Sequence, residues 1–194
     1  MGTERTDAPL AIAIAIAGRT RAGKTTLAGA LAGELGWPQT SFSSFVRAVA
    51  AERGLPEERR ALQDLGAGLI EELGPRGFVE GALDYAGLSG EDIPFLIEGV
   101  RHVVTWDALR EVVAPASALL IYLTVSDRER DRRLAAEGIS AAEGREWERH
   151  STEHDVLHLL EAKADFVLDA DQPADYVANT VVEWLREGRW AKTV

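Results

Sequence analysis

Gly18-Arg19-Thr20-Arg21-Ala22-Gly23-Lys24-Thr25 combines residue types at a spacing that suits one kind of chemistry. It reads G-x-x-x-x-G-K-T, follows the apolar run Leu10–Ala17 and opens a helical pattern over Lys24–Leu35. In that strand–loop–helix setting the pattern is a phosphate-binding P-loop. The glycines let the backbone bend around an anion at the head of a helix, where unpaired amides and the macrodipole favour negative charge. Gly18, Thr20, Arg21, Ala22, Gly23, Lys24, Thr25 and Thr26 form the expected cradle. Lys24 supplies a point charge to β- and γ-phosphates, and the Thr25 hydroxyl a ligand for Mg²⁺. Only three lysines occur in the chain, Lys24, Lys163 and Lys192, and one of them occupies the required slot.

Three further groups of residues could share that cleft. Glu98-Gly99-Val100-Arg101 follows an apolar strand. Its acid is placed to bind Mg²⁺ or orient an attacking group, Gly99 allows close approach of a ligand, and Arg101 can clamp a phosphate bidentately. A surface turn with a Glu–Arg pair is the competing reading. In Ser43-Ser44-Phe45-Val46-Arg47, either serine can cap a helix, and Arg47 lies one turn inside, within reach of an acceptor's phosphate. Arg128, Arg130, Arg132 and Arg133 fall within six positions, interleaved with Asp127, Glu129 and Asp131. Arginines on a closing lid stabilise a transferring phosphoryl group, and a self-neutralising charged helix is the alternative. Arg133 and Arg130 are the first candidates.

His150, His154 and His158 recur at i, i+4, i+8 on a predicted helix. Such histidines can share a metal ion or simply form a polar face, and no His-Glu-x-x-His pattern accompanies them. Of the five tryptophans, Trp147 alone lies near the arginine segment; the others read as packing anchors.

These residues need a scaffold, and the periodicity supplies one. Strands are predicted at Leu10–Ala17, Thr40–Phe42, Pro94–Glu98, Ala118–Val125 and Phe166–Leu168. Ala11–Ala17 alternates Ala and Ile, so both faces are apolar, as in a central parallel strand buried on both sides. Helical patterns cover 24–35, 44–53, 56–73, 78–85, 105–113, 127–137, 141–162 and 174–187. Pro56 opens one of them, and Gly74-Pro75 stops it. Alternating strands and helices make a parallel sheet covered on both faces, with ligands at the carboxyl ends of the strands.

Composition sets the outer bounds. The 194 residues fit one domain over residues 10–194 after a polar leader, 1–9. The formal net charge of −11 argues against generic binding to nucleic acid or anionic membrane, while leaving room for a small anion in a local basic cleft. With no cysteine there is no disulfide framework, and a cytoplasmic setting is expected. The run 10–17 is too short to span a bilayer.

The chain resembles P-loop nucleotide kinases of the adenylate-kinase-like group, nearest to the dephospho-CoA-kinase-like and deoxynucleoside-monophosphate-kinase-like branch. The resemblance runs from Gly18–Thr25 through Ser43–Arg47, Leu62-Gln63-Asp64-Leu65-Gly66 and Ile97–Arg101. It continues through Arg130-x-x-Arg133-Leu134, Trp147-x-Arg149 and Glu153 to Ala164–Val167. It implies a three-layer α/β/α fold with a five-stranded, mainly parallel sheet, an acceptor region around 43–86 and a small helical lid around 134–150. By position it implies that Lys24 and the loop amides hold ATP, and that Thr25 and Glu98 hold Mg²⁺. Ser43, Arg47, Gln63 and Arg101 would face the acceptor, and Arg130, Arg133 and Arg149 the transferred phosphoryl group. The chain departs from the family pattern in three places. Serine stands where the family often has aspartate near 43–44, Glu98 where aspartate is usual, and Glu137 where an arginine is common.

The resulting expectation is an ATP- and Mg²⁺-dependent phosphotransferase acting on a small acceptor, most readily a nucleotide or nucleotide-like metabolite. Two alternatives stand beside it: a nucleotide-binding switch or degenerate kinase, and a nucleic-acid 5′-end kinase. A GTPase is disfavoured, because Ala162-Lys163-Ala164-Asp165 shares only the Lys and Asp of the guanine-reading Asn-Lys-x-Asp.

Overall fold

The computed structural model describes residues 11–149, 154–188 and 190. The leader, His150 and Glu153 lie outside the described residues. Five strands, β1 (Ile12–Gly18), β2 (Gln39–Ser41), β3 (Phe95–Val100), β4 (Ser117–Thr124) and β5 (Phe166–Asp169), form one sheet in the order β2-β3-β1-β4-β5. Every pairing is parallel, so the expected mainly parallel sheet is parallel throughout. The helices are α1 (Lys24–Leu35), α2 (Phe42–Glu52), α3 (Arg59–Tyr85), α4 (Val103–Val113), α5 (Asp127–Ala136), α6 (Ala141–Glu148), α7 (His154–His158) and α8 (Ala174–Arg186).

The Ala/Ile alternation of β1 becomes a division of the core. Ile12, Ile14 and Ile16 join the layer built by α1 and α8, among Leu27, Leu31, Val181 and Leu185. Ala13, Ala15 and Ala17 face the layer of α2, α3 and α4, among Phe42, Phe78 and Trp106. All six side chains are fully buried, as the central strand of a two-sided parallel sheet requires. This is the three-layer α/β/α architecture. The isoleucines pack against Leu27, Leu31, Val181 and Leu185, while the small alanines share the other face with the rings of Phe42, Phe78 and Trp106.

Three local departures from the predicted elements have clear causes. The patterns 56–73 and 78–85 join into α3, which kinks at Gly74, where φ is +72° and ψ 161°. Only glycine takes that conformation without strain, and Pro75 restarts the helix. The predicted helix 141–162 is split: α6 ends at Glu148 and α7 begins at His154. The expected histidine face includes His150, which lies outside the described residues. No cluster of three or more His, Asp or Glu able to hold a metal exists among the described residues. Helix α2 starts at Phe42, capped by Ser41, whose Oγ accepts from Ser44 N at 3.0 Å. The cap is thus one element earlier than Ser43 or Ser44. Strand β2 ends at Ser41 in extended conformation, which is the geometry an N-cap needs.

No helix among the described residues is long and apolar enough to cross a membrane.

Candidate nucleotide and acceptor site

Strand β1 lies between β3 and β4, so the order of the sheet reverses around it. That is the switch point at which loops diverge and leave a crevice beyond the strand ends. The loop after β1 occupies it. Helix α1 opens at Gly23, in left-handed conformation at φ +92°, with no side-chain cap and no acid in its first turn. Its first amides and positive dipole end therefore face the crevice with no acid of the helix's own competing for them. Arg21 is the only non-glycine residue with positive φ (+65°) among the described residues. Such backbone strain collects at ligand-binding loops.

Lys24 curls back over this loop. Its Nζ donates to Gly18 O at 2.8 Å and Arg19 O at 2.9 Å, which holds the ammonium at the crevice. Gly18 itself is buried; a Cβ there would come within 2.6 Å of Leu123 O on β4. Its role is to let β1 and β4 close together beneath the loop. Thr20, Arg21, Ala22, Gly23, Lys24, Thr25 and Thr26 line a cavity of about 550 Å³.

A bulge in β3 sets the acid. The register with β1 passes from Ile16↔Glu98 to Ala17↔Val100, skipping Gly99, whose φ is +88°. The extra residue re-aims the chain at the end of the strand. Glu98 ends up buried beside the loop, where its Oε1 accepts from Thr25 Oγ1 at 2.8 Å. A hydroxyl and a carboxylate brought together at a phosphate cradle are hard oxygen ligands of the kind Mg²⁺ takes. The donor set therefore fits the metal that the P-loop spacing called for.

A second cavity, of about 270 Å³, adjoins the first. Phe42, Val46, Leu62, Ile70, Phe78 and Trp147 give it an apolar lining, with Gln63 and Thr105 among its polar groups. Phe42 and Phe78 stack at 5.3 Å. Arg21, Ser43, Arg47, Arg59, Gly99 and Arg101 line both cavities and so form the boundary between them. Four of the six are arginines, and none is a carboxylate.

The arginines of α5 divide. Arg133 lies on the loop: its Nη1 donates to Arg21 O at 3.1 Å and its Nη2 to Ala170 O at 2.5 Å, while Nε pairs with Glu129 at 2.8 Å. Arg132 also lines the larger cavity and is paired with Glu129. Arg130 does not line either cavity. It is buried, with ion pairs to Glu148 and Asp131. Arg149 ends α6, exposed, and lines neither cavity. Glu137 stands at the end of α5 and pairs with Arg21 of the loop.

Three contributors escaped the sequence reading. Arg59 donates to Thr20 Oγ1 at 2.7 Å, and its guanidinium lies 4.8 Å from the Trp147 ring centre. Glu148 joins Arg19 of the loop to Arg130. Burial pulls the Glu148 carboxyl upward, but hydrogen bonds from Arg19 and Arg130 outweigh it and hold the group below the usual glutamate range. Thr105 is buried at the floor of the smaller cavity. Only Arg59 had a signal, as a cation inside the expected acceptor region 43–86.

No family model matches the chain, and no curated protein matches it in sequence. Solved structures do match in fold. A sugar kinase from Janibacter sp. HTCC2649 superposes with a TM-score of 0.57 at 21% identity, over 92% of this chain and 95% of that one. A gluconokinase from Sinorhizobium meliloti 1021 gives 0.57 at 16% identity, over 96% and 99%. A shikimate kinase from Bacteroides thetaiotaomicron gives 0.54 at 18% identity, over 91% and 97%. The chain shares its fold with these kinases over 91–96% of its length and 95–99% of theirs.

Proposed function

We propose that the chain is a small-molecule kinase that transfers the γ-phosphoryl group of ATP to an anionic oxygen of a nucleotide-like monophosphate. One observation carries the reading: the boundary between the two cavities holds four arginines and no carboxylate. A neutral hydroxyl acceptor profits from a base to take its proton. A phosphate oxygen is already a nucleophile, and the obstacle is repulsion between two anions, which arginines offset. The deoxynucleoside-monophosphate-kinase-like side of the sequence resemblance points the same way.

In this reading Lys24, the loop amides and Arg133 hold the donor's phosphates, while Arg47 and Arg101 hold the acceptor's. An acceptor oxygen bonds to the γ-phosphorus as the bond from that phosphorus to the bridging oxygen breaks, and ADP leaves. Thr25 and Glu98 are the residues that would hold Mg²⁺, which when bound neutralises developing charge on the phosphates. The chain's contribution is position and charge. The Arg21–Glu137 pair places the departure at 137 on the loop itself, as a brace for a strained residue.

A second reading takes its support from the fold neighbours, whose names specify sugar, gluconate and shikimate, all hydroxyl acceptors. Glu57 lines the smaller cavity and would be its candidate base. One assay separates the two: Mg²⁺-dependent ATP consumption with nucleoside monophosphates in one arm, and the hydroxyl acceptors gluconate and shikimate in the other. Turnover confined to the phosphorylated arm and lost in Lys24→Ala establishes the proposal. Turnover confined to gluconate or shikimate overturns it. ATP binding with no acceptor-stimulated turnover in either arm favours a nucleotide-binding switch. Arg47→Ala is expected to raise the acceptor KM about tenfold, the loss of a charge-assisted hydrogen bond.

A further inference from the structure

Thr105 sits on the first turn of α4, four residues after Arg101, and is only 2% exposed. Its backbone N–H is used, donating to His102 O at 3.1 Å. Its hydroxyl is not: Oγ1 is buried and has no hydrogen-bond partner. A threonine early in a helix ordinarily satisfies its hydroxyl on a preceding carbonyl, and leaving such a group buried and unpaired costs stability. Valine has the same shape and would avoid the cost. Thr105 is among the residues that line the smaller cavity, whose other walls include Phe42, Val46, Ile70 and Phe78.

We propose that Thr105 Oγ1 is a specificity-determining contact of the acceptor site, hydrogen-bonding the edge of a heterocyclic base lodged in the smaller cavity. The inference rests on the phosphate-acceptor reading and extends it to the end of the acceptor that does not react. Size, shape and polarity agree. A cavity of about 270 Å³ has room for roughly nine waters at ~30 Å³ each. That is the bulk of one flat ring system and less than a whole nucleotide. The phosphate and sugar then lie at the boundary, where Arg47 and Arg101 wait, and the base lies inside against the stacked Phe42–Phe78 pair. Aromatic walls bind any base; a single hydroxyl, able both to donate and to accept, discriminates among ring edges. A site built to hydrogen-bond its substrate rejects analogues that leave its buried polar group unpaired.

The test compares wild type, Thr105→Val and Thr105→Ser, with AMP, CMP, GMP, UMP and dTMP as probes. Binding is measured by titration calorimetry and KM by ATP consumption. The preferred monophosphate is expected to bind about 5- to 10-fold more weakly to Thr105→Val, the loss of one neutral hydrogen bond. Thr105→Ser restores it, the KM for ATP is unchanged in both, and the preference among the five bases narrows in the valine variant. Without ligand, Thr105→Val melts at or above the wild-type temperature, because an unpaired hydroxyl has been replaced by a methyl. A fall of about 3 °C or more would mean that the hydroxyl is satisfied within the protein, and would overturn the proposal. So would equal affinities in all three proteins, or binding of none of the five probes. Base-selective binding without phosphoryl transfer leaves the Thr105 assignment standing and defeats the kinase reading. Transfer that is indifferent to Thr105 does the reverse.

Discussion

Arg19 of the phosphate loop donates through Nε to Glu148 Oε1 on α6 at 2.9 Å, and Arg130 of α5 donates to the same carboxylate. One acid thus ties the loop after β1 to both α5 and α6. Arg130, which the sequence placed among the phosphoryl-contacting residues, instead anchors this junction. It is too deeply buried, and too fully paired, to line the cleft.

Glu148→Gln is expected to remove about 2 kcal/mol of folding stability, since hydrogen bonds to charged groups contribute more than neutral ones and Arg130 would keep a buried charge. Urea unfolding measures it. A change under about 0.5 kcal/mol would show that the junction is solvated and carries little.

The same junction gives acid sensitivity a definite direction. Hydrogen bonds from Arg132 and then Arg133 hold Glu129 down to about 2, and Glu148 is also held low by Arg19 and Arg130 against the opposing effect of burial. The unfolded chain therefore binds protons first as pH falls. This stabilisation is complete above the ordinary glutamate value of 4.5 and is lost from there down toward about 2. The melting temperature should fall through that window, and more shallowly for Glu148→Gln. Parallel curves would remove Glu148 from the account.

Glu98→Ala is expected to lower kcat by about 10²-fold or more while ATP affinity changes little, because the acid serves the metal and the developing charge rather than ground-state binding. Steady-state kinetics over a Mg²⁺ titration would show the metal requirement rising. Unchanged Mg²⁺ dependence would detach the Thr25–Glu98 pair from metal binding.

Gly18→Ala puts a Cβ 2.6 Å from Leu123 O at a φ of +143°. Neither backbone can yield in a central sheet, so a loss of about 2–3 kcal/mol is expected by thermal or urea unfolding. Gly29→Ala, with nothing within 4 Å of the added atom, is the control and should be neutral or stabilising.

Residues whose role is fixed by neighbours in the chain were readable in advance. The P-loop is one: Gly18, Gly23, Lys24 and Thr25 act through a local backbone path that their own spacing specifies. The double-sided burial of β1 was written in the Ala/Ile alternation, and the kink at Gly74 in its following proline. Glu98, Arg47 and Arg101, expected from the rule that ligands collect at strand ends, line the cavities beside the loop. Strand limits shifted by a residue or two, because pairing partners rather than propensity end a strand.

The sequence by itself determined that a P-loop pattern stands at the end of β1, and that a sheet covered on both faces carries the loop. It could not sort the arginines. Arg130 and Arg133 are alike in composition and spacing, yet one faces Glu148 at the junction of α5 and α6 while the other lies over Gly23. Nor could it find the bulge at Gly99 that turns Glu98 toward Thr25, or the unpaired hydroxyl of Thr105. Those depend on contacts between segments tens of residues apart. Local pattern specifies an element and its buried face, but which charges meet across a cleft follows from packing, and only the tertiary structure decides it.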